Sequence, residues 1–460
     1  MPALTRTTRP ARRGRQSAAG LLALAVPLAL AGCASADPAD GAGSAGSSAE
    51  PSSAETAQAT EATAATARIA LTYDGGVVVL DAQTLEQVAD LPLEGFTRLN
   101  PAGDGRHLLA STTGGFRALD LGAWAEAHGD HHHYWTSEPR LTDVTYAAEE
   151  PGHVVVHGGR TVLFDDGTGQ VRVLDSAHVA EGEAPARELT TPSAHHGVAV
   201  ELGDDSLLVT EGTEESRSGV RVLDADDQEI AASDDCPGVH GEAVAADEAV
   251  VVGCEDGVLV YADGKLTKVQ APDAYGRIGN QAGSEESPVV LGDYKTDPDA
   301  ELERPTRVSL VDTRSGDLSL VDLPSSYTFR SLARGADGEA LVLGTDGSLH
   351  VIDPESGKLT TSIPVIDAWE EPAEWQEPRP AVLALDGSVY VTDPATKSVH
   401  AVDVESGEVW KSVQLDVAPN EISGVSGDVE ASGTDEHDHE AHDDEAHDHE
   451  AHDDEAHDHD

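Results

Sequence analysis

A short strand that ends in Asp and a tight turn recurs along this chain every 35 to 50 residues or so, and few folds other than a closed ring of sheets accommodate such a pattern. The clearest copies are VVVLDAQT, FRALDLG, VRVLDS, VRVLDAD, VLVYADG, VSLVDTRSGD, LHVIDPESGK and VHAVDVESGE. Upstream of most lies a second run, such as TVLFDD, SLLVTEG, AVVVGCEDG, ALVLGTDG or SVYVTD, and before that an inner-strand candidate such as GVAVELGDD or GEAVAADE. β-Branched runs bounded by Gly and Asp read as strands and turns. Three or four of them per unit at this period predict an all-β protein, a β-propeller. The units begin near residues 68, 96, 145, 195, 238, 275, 328 and 376, which makes eight blades, or seven if unit two with its long insertion does not form one. The first unit lacks an inner strand, and Glu421 to Val425 is expected to supply it, closing the ring and hiding two sheet edges. A helical turn is expected only around Ala123 to Ala127.

The two ends are unlike this body. Arg6, Arg9, Arg12, Arg13 and Arg15 precede an apolar stretch from Ala18 to Ala31, with no acidic residue before Asp37. That stretch is too short to span a bilayer comfortably and has the shape of a signal peptide. It closes on Leu30-Ala31-Gly32-Cys33, the pattern of a bacterial lipobox, which implies cleavage before Cys33 and lipidation of its thiol. An ordinary signal peptide or a short anchor helix is the other reading. The expected organisation is a signal peptide at 1–32, a disordered tether at 33–66 rich in Ala, Ser, Gly, Thr and Glu, the propeller at 67–427, and a disordered tail at 428–460. Such a protein is exported and held by its lipid to the outer face of the bacterial cytoplasmic membrane.

Charge narrows the partners. Lys plus Arg number 28 against 86 Asp plus Glu, a net charge of −58, and about −63 once the five signal arginines are gone. A surface of that sign repels nucleic acid and draws cations. The tail shows which cations. From His437 onward the ten-residue unit HDHEAHDDEA appears twice and ends in HDHD, placing His437, His439, His442, His447, His449, His452, His457 and His459 among carboxylates with no large apolar side chain. Imidazole at this density suits Zn²⁺, Cu²⁺ or Ni²⁺. A merely solubilising acidic tail would not need it.

The histidines of the body follow the blade period. His153 stands 8 residues before Thr161, His196 stands 10 before Ser206, and His240 stands 9 before Ala249, where Thr161, Ser206 and Ala249 open the second runs. Equivalent positions in adjacent blades converge at the channel, so these three imidazoles are expected together at one mouth. Tetrahedral zinc takes three or four such ligands at about 2 Å. A His or Asp from the insertion AWAEAHGDHHHYW, which carries His128, Asp130, His131, His132 and His133, is expected to complete the shell. His195 and His157 would be outer or weaker ligands, and Glu242 would orient an imidazole. Cys236 and Cys254 flank the first two strands of one blade and are expected to form a disulfide in an oxidising compartment; two zinc thiolates are the alternative. No nucleophile motif, phosphate loop or paired-carboxylate motif stands out, so catalysis is not expected.

HGDHHHYW, SAHHGVA, CPGVHGEA and YGRIGN, together with the signal sequence and the propeller, resemble the AztD-type zinc metallochaperones. The resemblance covers roughly residues 68 to 425. It implies an extracytoplasmic protein, expected to be monomeric, that holds Zn²⁺ and passes it to the solute-binding protein of a zinc ABC transporter. The lipobox and the C-terminal place of the His-Asp repeat depart from that pattern. A surface zinc buffer or sensor, or a propeller scaffold without metal transfer, are the other readings.

Overall fold

The computed structural model describes residues 59–429 except 130. Cys33 with the signal segment, Asp130 and all eight tail histidines lie outside those residues. Among the described residues no helix is long and apolar enough to cross a membrane.

Among the described residues, eight sheets of at least four strands follow one another, and each runs outward from an inner strand. The inner strands are Ile422–Val425, Arg98–Pro101, Pro151–His157, Ala199–Glu201, His240–Ala245, Gln281–Ala282, Leu332–Arg334 and Val382–Leu385, in blades one to eight. Blade one takes its inner strand from the far end of the body. Ile422–Val425 pairs antiparallel with Arg68–Tyr73, with Leu71 opposite Ile422 and Arg68 opposite Val425. The expected closure is therefore present, and it leaves no unpaired sheet edge at the junction of the ends.

The core is distributed among the seams between blades. Apolar clusters of buried residues join blades one and two, two and three, and so on round the ring to eight and one. In the closing seam Ile69, Leu71, Val78 and Leu80 of blade one pack on Tyr390, Val399 and Ala401 of blade eight. Alternation along each strand sends successive side chains into the two seams that flank its blade, so both faces are apolar. Non-polar burial of this kind is the main stabilising term, about 25 cal/mol per Å².

Strand direction assigns every loop to one end of the ring. Inner strands start at the end called upper here; second strands run back to it, and third strands leave it again. Loops that lead into inner strands, and turns between second and third strands, are therefore upper. Turns between first and second strands, and connections from third to fourth, are lower.

Two sequence expectations need correction. Ala123 to Ala127 is not a helical turn but part of the strand Ala123–His128, which pairs with His131–Thr136. Cross-strand partners decide this, with Trp124 opposite Trp135 and the Arg106 guanidinium 3.9 Å above the Trp124 ring. Thr60–Ala62, inside the segment expected to be tether, forms a third strand on this hairpin.

Candidate metal centre

His153, His196 and His240 meet at the upper mouth. Each offers a nitrogen within 4.8 Å of the others, and their ring centroids stand 5.0 to 5.9 Å apart. The backbone aims them by local irregularities. The register of blade three shifts between Pro151 and Val154, around His153, and that of blade five shifts between His240 and Glu242. Bulges of this kind bend a strand and redirect a side chain. Gly241, in the second bulge, has φ +72°, and a Cβ there would come within 2.4 Å of Gln281 Oε1, so only glycine suits the turn. Gly197 lets Phe164 and His195 close against the chain beside His196, where a Cβ would meet Phe164 Cζ at 2.3 Å.

Each ring is held by its Nδ1. His196 Nδ1 donates to Asp166 Oδ2 at 2.5 Å, and His240 Nδ1 donates to the Gly279 carbonyl at 2.5 Å. His153 Nδ1 lies 3.3 Å from Glu242 Oε2. A neutral imidazole that donates from Nδ1 carries its lone pair on Nε2. His196 Nε2 and His240 Nε2 face each other across 3.2 Å. Two ligands of a tetrahedral zinc at about 2.0–2.1 Å stand about 3.3 Å apart, so this spacing is the edge of such a shell. Burial, then His153 and His196, hold His240 well below the ordinary histidine range, with Arg277 adding to the effect and the Gly279 contact opposing it. A ligand kept neutral is ready for metal, because binding need not first displace a proton.

The insertion of blade two does not reach this mouth. It joins the third strand, Gly115–Asp120, to the fourth, Arg140–Ala147, and so hangs from the lower end. The strand that leads to it, Gly115–Asp120, has 6 residues, and at about 3.3 Å each these place it roughly 20 Å from the upper end. The expectation that one of its groups completes the ring shell is thus overturned by strand direction. The hairpin makes a cluster of its own instead: His133 Nε2 lies 3.3 Å from His131 Nε2 and 3.3 Å from His128 Nδ1. His132, which alternation turns to the other face, is left out and lies by Tyr134.

The remaining candidates separate cleanly. His195 is not an outer ligand: it is buried, donates from Nδ1 to the Ser193 carbonyl at 2.9 Å, and meets Thr210 Oγ1 at 3.2 Å through Nε2. His157 ends its strand at the lower mouth, between Glu248 at 3.2 Å and Glu285 at 3.8 Å. Cys236 and Cys254 are joined by a disulfide, so they are not thiolate ligands, and the bridge braces the loop that presents His240. Asp166 and the Gly279 carbonyl escaped sequence reading. Asp in a turn after a second strand recurs in many blades, and a backbone carbonyl carries no signature.

No protein-family model matches the chain. It is 26% identical over 376 residues to the zinc chaperone AztD of Citrobacter koseri, spanning 79% of this chain and 87% of that protein. The crystal structure of Citrobacter koseri AztD superposes with a TM-score of 0.68 at 24% identity, over 79% of this chain and 98% of that one. The structure of apo AztD from the same organism gives 0.67, again at 24% identity. The AztD-type resemblance carried by the histidine motifs is borne out, and so is the propeller.

Proposed function

We propose that this protein is an extracytoplasmic zinc chaperone whose working site is the ring of His153, His196 and His240. The observation that carries the reading is the convergence of three Nδ1-anchored imidazoles from adjacent blades at an open mouth. Similarity to the zinc chaperone AztD supports zinc as the cargo. Three nitrogens leave one tetrahedral position free, and an acceptor's ligand can enter there before a histidine lets go. Transfer then runs through shared intermediates and avoids free hydrated metal. The acceptor in this proposal is the solute-binding protein of a zinc ABC transporter, and the chain is lipid-anchored at Cys33.

Capture is assigned to the lower side. The hairpin cluster His128, His131 and His133 sits there, and the described chain ends at Val429 just beyond the lower end of Ile422–Val425. The tail histidines are assigned a share of capture in this proposal. Both groups would raise the local zinc concentration, and the ring would hold the metal for delivery.

Stopped-flow transfer from the zinc-loaded protein to an apo zinc solute-binding protein tests the reading. A chaperone delivers faster than zinc dissociates into excess chelator, and the rate rises with acceptor concentration. Delivery no faster than dissociation would make the protein a surface buffer instead.

A further inference from the structure

Thr60–Ala62 lies against the insertion hairpin in antiparallel register, with Thr60 opposite Thr136, Glu61 opposite Trp135 and Ala62 opposite Tyr134. Two of its three residues are exposed and the third is half-buried, so no apolar core holds it in place. Its attachment rests on the strand pairing and on two side-chain contacts, the longer from Thr136 Oγ1 to the Thr60 carbonyl at 3.5 Å. Glu61 Oε1 lies 3.1 Å from His133 Nδ1. The other nitrogen of that ring, Nε2, is the one that faces His131 Nε2 and His128 Nδ1 at 3.3 Å. Glu61 thus occupies the place from which a carboxylate grips the outer N–H of a metal-ligating imidazole.

The geometry points to a metal-dependent clasp, in which a zinc-class divalent cation on His128, His131 and His133 and the N-terminal strand fasten one another through Glu61. The clasp rests on the reading of the hairpin as a metal site. A cation on His133 Nε2 fixes the proton on Nδ1 and makes that N–H a stronger donor to Glu61. The carboxylate in turn orients the ring and raises its basicity as a ligand. Without metal the hairpin is a short two-stranded excursion plus a weakly held third strand, an arrangement that is marginal in water. Coupling of this kind is reciprocal: the factor by which the strand tightens metal binding is the factor by which metal tightens the strand. The strand Thr60–Ala62 is then held on the hairpin when zinc is plentiful and released when it is scarce. Glu61 acts as a positioning residue for His133.

The test is hydrogen exchange of the peptide spanning 57–63 in the full mature chain, with and without zinc, alongside zinc titration. Zinc is expected to slow exchange at residues 60–62 about tenfold in the native chain and not in Glu61→Gln, which binds hairpin zinc about tenfold more weakly, at the low end of outer-sphere effects. Glu61→Asp should restore part of both. Equal slowing in Glu61→Gln, or no slowing in a chain whose hairpin demonstrably takes up zinc, overturns the clasp. A His131→Ala/His133→Ala chain that binds as much zinc as the native one overturns the underlying metal site instead, and the two failures are told apart by stoichiometry.

Discussion

The two histidine clusters have nearly the same nitrogen spacing and opposite origins. The ring cluster draws on residues 153, 196 and 240, separated by about one blade period each, and exists only once three blades have docked. The hairpin cluster draws on six consecutive positions and needs only one tight turn. Neighbouring groups hold every imidazole of the ring: a carboxylate on His153, a carboxylate on His196 and a carbonyl on His240. On the hairpin, His133 is contacted by Glu61, whose side chain is more than half exposed. A preorganised shell loses little freedom when metal arrives, whereas a pliant one must order its side chains then. The contrast suits a tight holding site above and a faster, weaker one below.

Removing a ring ligand should separate the two most strongly. His196→Ala or His240→Ala is expected to abolish tight zinc binding, a loss beyond the roughly 10–100-fold of outer-sphere changes, while hairpin uptake stays. Titration against a competing chelator reads both; retention of the tight site would place it elsewhere. Replacing Cys236 and Cys254 by Ala should lower stability by about 3 kcal/mol in denaturant unfolding, the value for a loop of this length in the chain-entropy model. Zinc affinity at the ring should fall with it, and hairpin affinity should not.

Asp166→Asn keeps the shape at His196 but removes the charge, and is expected to weaken ring zinc about 10–100-fold with hairpin zinc unchanged. The metal-free fold should also sense pH. Burial is the main cause that lowers His240, His350 and His400 below their ordinary value. Their unfolded forms therefore bind protons that the folded forms refuse, so stability is present above about pH 6.5 and is lost as pH falls through that value. Each such group contributes at most about 1.4 kcal/mol per pH unit. Melting of the apo protein between pH 7.5 and 5.5 reads the slope, and His240→Ala should flatten it. The smallest effect is expected from replacing 124–135 by a short Gly-Ser turn: ring affinity and melting temperature should hardly move, while one zinc equivalent is lost.

Much of the ring was legible in the sequence because it repeats. Each blade writes the same strand-Asp-turn unit, and the offsets of His153, His196 and His240 from their second strands differ by only two residues. Asp166 was invisible because turn acids are everywhere in so acidic a chain. His195 and His196 are adjacent and chemically identical, yet one is a satisfied core residue and the other a ligand candidate, since the loop before Ala199–Glu201 turns one ring onto Thr210 and the other onto Asp166.

By itself the sequence determined the propeller, the blade that borrows its inner strand from the far end, and the grouping of three imidazoles. All of these follow from local strand patterning repeated at a fixed period. Only the tertiary structure decided which end of the ring each cluster occupies, which carboxylates and carbonyls hold the histidines, and that Glu61 reaches His133. Those depend on strand direction and ring closure, which bring together residues that no spacing along the chain connects.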